Sequence, residues 1–379
     1  MVPQGALQVR PRRLRVLLAL PGGPAMPAAR VRVLQYVPTL EASGFECTVM
    51  SMRGARATAR TLRTETDSRP RRWAHLAGSW LAAQAFQARL LLRAGRYDRL
   101  LLHRVPISAW ARPLLARHRE RLVFDFDDAL YDTEAAGLGA VAALRRRVLR
   151  RSLERAVGIA AVVTTSNDRN AEWARSMGAC TCIVPTSVDT TRVGPRSRSR
   201  QERLVIGWMG TPSTSRYLTL VEDVLEEVAQ SPVIVRLVGA LRNPFRRLQA
   251  EVRPWTLEAE SEELASFDVG IMPMPDTAWT RGKAAFKALQ YGAASVPTVA
   301  SWTPTNEEIL GDGEGAILCR SAREWKVALD RLVADEELRR QLGERGRRRV
   351  TERYSVEVNG PRLARALLEA GVPRLEERS

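Results

Sequence analysis

The sequence predicts an α/β protein with two doubly wound parallel sheets, and three observations carry this prediction. Short apolar runs alternate with amphipathic stretches of helical period through most of the chain. The alternation stops at a polar interval, residues 186–202, and then starts again. The 379 residues are enough for two domains that each bury a core. We therefore expect two Rossmann-like domains that face each other across a cleft.

The first half of the chain is rich in β-branched and leucine-rich runs. Strands are predicted at 15–20, 47–52, 98–103, 121–126 and 158–166. Helices are predicted between them at 30–43, 74–96, 107–119 and 140–156. Because strands separated by helices pair in parallel through right-handed crossovers, residues 1–190 are expected to form one doubly wound domain.

The second half repeats the same alternation. Strands are predicted at 203–209, 233–239, 267–274, 295–301 and 315–319, and helices at 215–229, 258–266 and 283–293. A charged helical region follows at 321–370. We assign 191–202 to a linker, 203–355 to the second domain and 356–379 to a terminal helix expected to pack back on the first domain.

Several classes of protein are unlikely on composition. The cysteines form no CxxC pair and only three histidines accompany them, which argues against a structural zinc site and indicates a reducing cytosol. The apolar run VLLAL near the N-terminus is too short for a signal peptide and stops at Pro21, so it is expected to be the first strand. No stretch reaches the roughly 20 apolar residues needed to span a bilayer.

The charge is unevenly distributed. Residues 1–195 contain 31 arginines and no lysine against 15 acidic residues, a net charge of +16, whereas residues 196–379 have a net charge of +1. A surface this basic suits an anionic partner such as a phosphate-bearing acceptor, acidic lipid headgroups or nucleic acid. An equal alternative is that a genome biased toward arginine codons has placed these arginines on a solvated face where they bind nothing. Nucleic acid is not expected, because no recognised binding motif is present.

Lysine is rare in this chain, and its placement is informative. Two of the three lysines, Lys283 and Lys287, lie four residues apart in RGKAAFK. Arginine and lysine are chemically distinct choices, so a compact ammonium is indicated at this place. Upstream, GWMGTPSTSRYL (207–218) joins a predicted strand to a helix. There Gly210 permits close backbone approach to a ligand, and Ser213 or Thr214 can cap the helix.

These segments, in their order and spacing, resemble the GT-B glycosyltransferases of family 4. QYGAASVPTVAS (290–301) is similar to the end of that family's Glu-x7-Glu segment, and VPTSVD (184–189) resembles the Pro-Asn-Gly-Val-Asp that precedes its linker. The resemblance implies that Gly210 and neighbouring amides, with Ser213, approach a donor diphosphate. It also implies that the amides from Gly282 to Phe286 bind the same phosphates and that Gln290 lies near the nucleotide ribose.

Four positions depart from the family pattern. Gly282 and Gln290 stand where the family has its two glutamates, Thr211 stands where many members have a phosphate-binding arginine, and Arg216 falls where they often carry lysine. We expect Lys283 and Lys287 to compensate by neutralising the diphosphate.

Four carboxylates cluster in FDFDDALYD (124–132), at the end of a predicted strand. One interpretation is helix capping in solvent. A second is that Asp125 and Asp127 bind a divalent ion, as in a GT-A glycosyltransferase. The third, which the two-domain pattern favours, places Asp127 where family 4 relatives often show His-Asp, with Asp127 and Asp128 orienting the acceptor or stabilising positive charge.

Further candidates follow the preceding strands. His103 is either structural or positions an acceptor hydroxyl or phosphate. Arg104 is a candidate acceptor contact and is expected to pair with the aspartates. Arg30 and Arg32 follow the first strand. They are candidate contacts to an anionic acceptor; the alternative is that they lie on a helix face without a binding role.

The resemblance implies a glycosyltransferase that uses a nucleotide-diphosphate sugar, retains anomeric configuration and needs no metal or other cofactor. The acceptor is expected to be a glycan, a lipid-linked molecule or a small molecule. The expected location is the cytoplasm, with peripheral contact to an anionic membrane. Alternatives are the metal-dependent GT-A enzyme, a nucleotide-sugar epimerase of GT-B-like fold, and a non-enzymatic basic binding protein on the same fold.

Overall fold

The first domain alternates strands and helices. The computed structural model describes residues 12–52, 69–132, 140–195, 203–229 and 232–372. The strands are β1 (Leu14–Leu20), β2 (Phe45–Ser51), β3 (Arg99–His103), β4 (Leu122–Phe126), β5 (Val162–Thr165) and β6 (Thr181–Ile183). The helices are α1 (Pro27–Arg32), α2 (Val37–Ala42), α3 (Arg69–Ala94), α4 (Ala111–Ala116), α5 (Ala140–Val157) and α6 (Asp168–Ser176). Short 3-10 turns lie at Leu34–Tyr36, Arg119–Arg121 and Leu130–Asp132.

The second domain has the same layered construction. The strands are β7 (Leu204–Met209), β8 (Val233–Val238), β9 (Glu251–Arg253), β10 (Val269–Met272), β11 (Thr298–Ser301) and β12 (Ala316–Cys319). The helices are α7 (Pro212–Ser215), α8 (Glu222–Val228), α9 (Glu260–Ala265), α10 (Ala278–Arg281), α11 (Phe286–Ala293), α12 (Pro304–Leu310), α13 (Ala322–Ala334), α14 (Glu336–Arg353) and α15 (Val356–Glu369). A 3-10 turn, Arg216–Val221, separates α7 from α8.

Within the described residues, each domain has a parallel sheet of six strands. The strand orders are β2-β1-β3-β4-β5-β6 and β12-β11-β10-β7-β8-β9. Apolar side chains are buried on both faces: along β1, Leu17 and Ala19 belong to one core cluster, and Val16, Leu18 and Leu20 to another. The near-continuous apolar runs of the sequence arise from this double burial. The structure thus confirms the predicted α/β class with two doubly wound sheets.

The strand order reverses once in each sheet, at β1/β3 and at β7/β10. In open parallel sheets the crevice for ligands lies beyond the carboxyl ends of the strands at such a point. The turns that follow β1, β3 and β4 in the first domain therefore face those that follow β7 and β10 in the second.

The chain crosses between the domains twice, at neighbouring positions. The amide of Val188 donates to the carbonyl of Tyr354 (2.9 Å), and the amide of Val356 donates back to Val188 (3.2 Å). Beyond this crossing, α15 buries Leu363 and Leu367 in the same cluster as Val16 and Leu18 of β1. The last helix thus packs on the first domain. Residues 196–202 of the predicted linker and 373–379 of the predicted terminal segment lie outside the described residues.

The structure departs from the predicted elements in several places. The helix predicted at 30–43 is divided into α1, a 3-10 turn and α2, and the second of these helices has proline in its first turn. The helix predicted at 215–229 is divided by its 3-10 turn. Two strands that were not predicted, β6 and β9, have three residues each and lie at sheet edges, too short for a period-2 pattern. No helix among the described residues is both long and apolar enough to cross a membrane.

Candidate functional site

Asp125, at the end of β4, lies in a buried polar cluster. Its carboxylate accepts hydrogen bonds from Arg32 Nη2 (2.5 Å), His103 Nδ1 (2.7 Å) and Thr164 Oγ1 (2.6 Å). Burial alone would raise the pKa of Asp125, but Arg32 and His103 overcome it and hold this pKa below its usual range. The cluster joins α1 to β3, β4 and β5, so it fixes the geometry of the strand ends.

This cluster corrects two predicted roles. Arg32 is not an acceptor contact, because its guanidinium is buried and bound to Asp125 and to the carbonyl of Val184 (2.5 Å). His103 does not face an acceptor either: it is fully buried, Nδ1 is bound to Asp125, and Nε2 is buried with no hydrogen-bond partner. Both side chains turn inward to a carboxylate that is remote in sequence.

Arg104, the next residue, points toward the cleft. Its backbone has φ of 50°, the left-handed region that a non-glycine residue seldom adopts. Its Nη1 atom lies 3.3 Å from Asp127 Oδ1 and 3.4 Å from Asp128 Oδ2. Burial opposes the charged guanidinium, but the two aspartates outweigh this and raise the pKa of Arg104. Arg104 therefore pairs with both aspartates, as its position predicted.

Asp128 also has a cationic partner from the other domain. Its Oδ1 atom lies 3.6 Å from Lys283 Nζ, and this ammonium lies 4.6 Å from the centre of the Trp279 ring. Burial would raise the pKa of Asp128, but Lys283 and Arg104 overcome it and lower this pKa. The side chains of Asp128 and Lys283 retain partial exposure, so both can be reached from the cleft.

Gly282 brings the two domains into contact. A Cβ at this position would lie 2.4 Å from the Cβ of Ala129, so only glycine fits. Its carbonyl accepts from Asn167 Nδ2 (3.3 Å) and Asn170 Nδ2 (3.2 Å), and Asn170 also donates to the carbonyl of Asp127 (3.1 Å). These asparagines were not identified from the sequence, although Asn167 occupies the helix-start position that follows a strand in TTSNDRN.

The amides of the Gly282 loop are only partly available to an anion. The amide of Gly282 donates to the carbonyl of Trp279 (3.2 Å), and the amide of Lys283 donates to the carbonyl of Thr280 (3.1 Å). The prediction that these amides bind phosphate is therefore wrong for these two groups. Ala285 adopts φ of 47° and precedes α11. The first N–H groups of a helix have no partner within it, so the amides from Phe286 onward remain to bind an anion.

Gly210 and Lys287 meet where β7 ends. A Cβ at Gly210 would lie 2.5 Å from Lys287 Cε and 2.5 Å from the Trp208 ring, so only glycine fits at this position. Gly239, at φ of 88°, follows β8, and a Cβ on it would lie 2.2 Å from the carbonyl oxygen of Gly210. Gly239 was not singled out from the sequence, because an isolated glycine after a strand is common.

Lys287 is unusual in its electrostatics. Burial, reinforced by the nearby charge of Lys283, lowers the pKa of Lys287 to about 7, with Asp128 acting in the opposite direction. Its Nζ atom lies 5.7 Å from the centre of the Trp208 ring. Two ammonium groups therefore share one pocket with Asp128 as an opposing charge, and a second anion there would be stabilised.

A second part of the cleft lies beside the domain crossing. Arg30 Nη2 bonds Glu260 Oε2 across the interface (2.7 Å), and Arg192 bonds the other carboxylate oxygen. Trp255 Nε1 donates to the same carboxylate (3.0 Å). Arg30 was predicted to contact an acceptor, but its bound partner is Glu260. The Nε and Nη1 atoms of Arg30 remain buried without a hydrogen-bond partner.

A cavity of about 240 Å³ opens at this place. It is lined on one side by Arg30 and Gln35 of the first domain, and on the other by Phe286 and Gln290 of α11. The predicted ribose residue Gln290 is thus one helical turn from Lys287 and faces this cavity. The predicted donor residues therefore form a line from Gly210 through Lys287 to Gln290.

Ser213 and Arg216 lie outside this line. Ser213 is exposed and shares a hydrogen bond with Thr211 Oγ1 (3.0 Å). Arg216 is exposed, stacks on Tyr217 at 4.9 Å and donates to its hydroxyl group (3.0 Å). Because α7 has only four residues, the segment 211–218 does not supply the extended helix start that was predicted to bind phosphate.

The alternative of an Asp125/Asp127 metal pair does not fit these contacts. Both oxygens of Asp125 accept from Arg32, and His103 and Thr164 complete its surroundings. Asp127 is paired with Arg104. Among the described residues, no three His, Cys, Asp or Glu side chains are grouped so as to hold a metal ion. Cations already neutralise the carboxylates of the cleft.

Comparison with known proteins bears on the second domain. Residues 261–365, which include α11 and Lys283, match a family model described as Glycosyl transferase-like. Residues 261–365 are thus similar to a glycosyl transferase-like domain. The match confirms the prediction of a glycosyltransferase at the level of this domain. No curated protein sequence matches the chain.

Solved structures extend the likeness to the whole chain. HepE of Anabaena, solved with UDP-glucose, has a TM-score of 0.66 and 14% identity, covering 94% of this chain and 100% of HepE. Sucrose-phosphate synthase of Thermosynechococcus elongatus has a TM-score of 0.64 and 13% identity, covering 93% and 98%. An α-glucosyltransferase solved with UDP and DNA gives 0.65 and 13%, covering 94% and 100%. At this identity the likeness establishes the GT-B fold, so the GT-A alternative is wrong.

Proposed function

We propose that the protein transfers a glycosyl group from a nucleotide-diphosphate sugar to a glycan, lipid-linked or small-molecule acceptor. Transfer retains the anomeric configuration and uses no metal ion. The observation that carries the proposal is a cluster of two lysines near the start of α11: Lys287 lies against Gly210, and Lys283, which acts on the charge of Lys287, pairs with Asp128 of the first domain.

Departure of a nucleoside diphosphate requires stabilisation of its negative charge. Here the two ammonium groups and the first amides of α11 would supply it. The absence of a side chain at Gly210 lets Lys287 lie directly against the backbone at the end of β7. Lys287 is partly deprotonated near pH 7 in the free protein, so an arriving diphosphate would recruit a proton to it.

Asp128 has the role of a temporary counterion in this proposal. It neutralises Lys283 until the diphosphate takes its place, and it is then free to stabilise positive charge or to orient the acceptor together with Asp127. Arg104 pairs with both carboxylates. No protein nucleophile is required if the acceptor attacks the front face under guidance from the leaving phosphate, as the resemblance to family 4 implies.

The donor is proposed to be a UDP-sugar, with its nucleoside in the cavity beside Gln290 and Arg30. HepE, solved with UDP-glucose, and the α-glucosyltransferase, solved with UDP, support this choice. The excess of positive charge in residues 1–195 supports an anionic acceptor, such as a lipid-linked diphosphate, at the cytoplasmic face of a membrane.

A thermal-shift panel of UDP-, GDP-, ADP- and TDP-sugars tests the proposal. One class of donor should raise the Tm of the wild type, and this shift should be lost in Lys283→Ala and Lys287→Ala. Lys326→Ala is the matched control, since this third lysine is exposed and paired with Asp330 on α13 (2.8 Å). Equal shifts for all four proteins would contradict the proposed donor pocket.

Turnover assays then separate the alternatives. A glycosyltransferase requires an acceptor to consume the donor, whereas an epimerase converts the donor alone. Activity should persist in excess EDTA, and loss of activity that magnesium or manganese restores would contradict the metal-independent mechanism. Absence of saturable binding by any sugar nucleotide would favour the non-enzymatic basic protein.

A further inference from the structure

The first domain carries an apolar surface that its own fold does not cover. Six side chains, which we call the Trp80 face, are exposed on α3, α5 and the turn before α4: Trp80, Leu81, Trp110, Leu144, Val148 and Leu149. Trp80 and Leu144 are 62% and 63% exposed. Large apolar groups that remain exposed together mark an interaction surface.

Hydrogen bonds hold the parts of this face side by side. Gln84, one turn beyond Trp80 on α3, accepts from Trp110 Nε1 (2.7 Å). On the other side of the same loop, Ser152 of α5 accepts from the amide of Ile107 (2.7 Å), and Val148 lies one turn before Ser152. The loop that carries Trp110 is therefore fixed between the two helices, with exposed apolar side chains on each.

The face lies toward the cleft. Both α3 and α5 precede strands of the parallel sheet, so they run antiparallel to β3 and β5 and begin near the carboxyl edge. Trp110 follows β3 at this edge, whereas Trp80 and Leu81 lie near the middle of α3 and Leu144, Val148 and Leu149 lie within the first ten residues of α5. Asp127 and Asp128 follow β4 at the same edge.

The charge around this face has one sign. Arg146, Arg147, Arg150 and Arg151 are exposed on α5 among the apolar residues. The sequence contains no acidic residue at 69–97, 99–119 or 140–153. Of these four arginines, only Arg150 has an acidic partner among the described residues, Glu154 at 2.9 Å.

We infer that the Trp80 face docks on an anionic lipid bilayer. Tryptophan and arginine suit the boundary between headgroups and acyl chains, and the aliphatic side chains gain by leaving water. A nucleic acid would attract the arginines but offers no apolar phase to Leu144 and Val148. A two-fold dimer through this face would place arginines against arginines with no carboxylate between them. The inference rests on the proposed function in one respect: the bilayer is taken to be the source of the acceptor.

Vesicle cosedimentation with the full-length protein tests this inference. Binding to vesicles of phosphatidylcholine with about one third phosphatidylglycerol should exceed binding to phosphatidylcholine alone by about tenfold or more at low salt, and should weaken in high salt. Two variants probe the two components: Trp80→Ser/Val148→Ser and Arg147→Glu/Arg151→Glu. Each should reduce the partition coefficient about tenfold. The control Arg323→Glu/Val327→Ser changes exposed residues of α13 and should bind as the wild type does.

Three outcomes would overturn the inference. One is equal vesicle binding by wild type and both face variants. Another is a dimer in sedimentation velocity that Trp80→Ser/Val148→Ser dissociates, and the third is tighter binding to a DNA or RNA oligomer than to anionic vesicles. Sugar-nucleotide stabilisation of Tm, measured on the same variants, should be unchanged. It therefore reports separately on the proposed transferase activity.

Discussion

Asp128 illustrates how one residue can join two sites. It is paired with Arg104 of its own domain and with Lys283 of the other, so it competes with any diphosphate for the lysine. Asp128→Asn should therefore tighten binding of a sugar nucleotide about threefold to tenfold while it lowers the rate of transfer. The gain is modest because both side chains remain partly exposed to solvent. Isothermal titration calorimetry and initial rates measure the two effects.

Asp132→Asn is the control for this prediction. Asp132 lies in the same carboxylate-rich segment but is exposed and 3.8 Å from Arg169, away from the lysines. Its substitution should leave donor affinity unchanged. A weaker affinity in Asp128→Asn would mean that the carboxylate assists donor binding instead of competing with it.

Lys287 makes donor binding dependent on pH. Its pKa is lowered to about 7, so the free protein loses this charge as pH rises through 7, whereas a bound diphosphate favours the ammonium. Affinity for a sugar nucleotide should therefore be full below pH 7 and fall by up to about tenfold per pH unit above it. Calorimetry in two buffers of different ionisation enthalpy should detect proton uptake at pH 8. In Lys287→Arg, which stays charged, uptake should vanish, and its persistence would assign the proton to another group.

The sequence predicted the residues of the donor pocket better than those near the acceptor. The scarcity of lysine pointed to Lys283 and Lys287; Lys287 lies against Gly210, and Lys283 is close enough to lower the pKa of Lys287. Composition could not show which of Arg32 and Arg104 points into the core and which points toward the cleft. Arg32 turns inward to Asp125, 93 residues away, whereas Arg104 turns outward through a left-handed backbone. Contacts so remote in sequence leave no local pattern.

At the scale of elements, the loop between α10 and α11 joins the domains. Gly282 touches Ala129 so closely that a methyl group cannot be added. Gly282→Ala should cost about 1–3 kcal/mol of stability through overpacking and should lower activity, because the same loop carries Lys283. Thermal unfolding and initial rates measure both.

Gly78→Ala is its counterpart on α3, where an added Cβ would meet open space. That change should stabilise the helix by up to about 1 kcal/mol without affecting activity. An unchanged Tm and activity in Gly282→Ala would show that the interface at Ala129 can shift to accommodate the added methyl group.

Strands were predicted well and helices less so. Runs such as VLLAL and VIVRLV are buried on both faces, so their composition alone identifies them. The helix predicted at 283–293 begins three residues later, at Phe286, because Ala285 takes a left-handed conformation. Its local sequence, KAAF, has good helix propensity throughout, so tertiary contacts of Gly282 override that preference.

For the whole molecule, the sequence predicted two sheets and their cleft, but not how the domains are held. Their contacts join residues such as Asn170 and Gly282, or Arg30 and Glu260, that are more than 100 positions apart. Arg30 and Glu260 form a buried ion pair, and Arg192 shares the same carboxylate. The relative position of the domains therefore depends on a carboxylate that no motif identifies.

Removal of Glu260 tests this dependence. Glu260→Ala leaves the buried guanidinium of Arg30 without its ion pair, which should cost about 3–5 kcal/mol and lower Tm. Glu263→Ala, on the same helix but paired with Arg253 inside the second domain, should cost about 1 kcal/mol or less. In the double variant Glu260→Ala/Arg30→Met no buried charge remains unpaired, so most of the lost Tm should return. Small-angle scattering should show a larger radius of gyration for Glu260→Ala alone, and equal Tm losses for Glu260→Ala and Glu263→Ala would show that this ion pair does not hold the domains together.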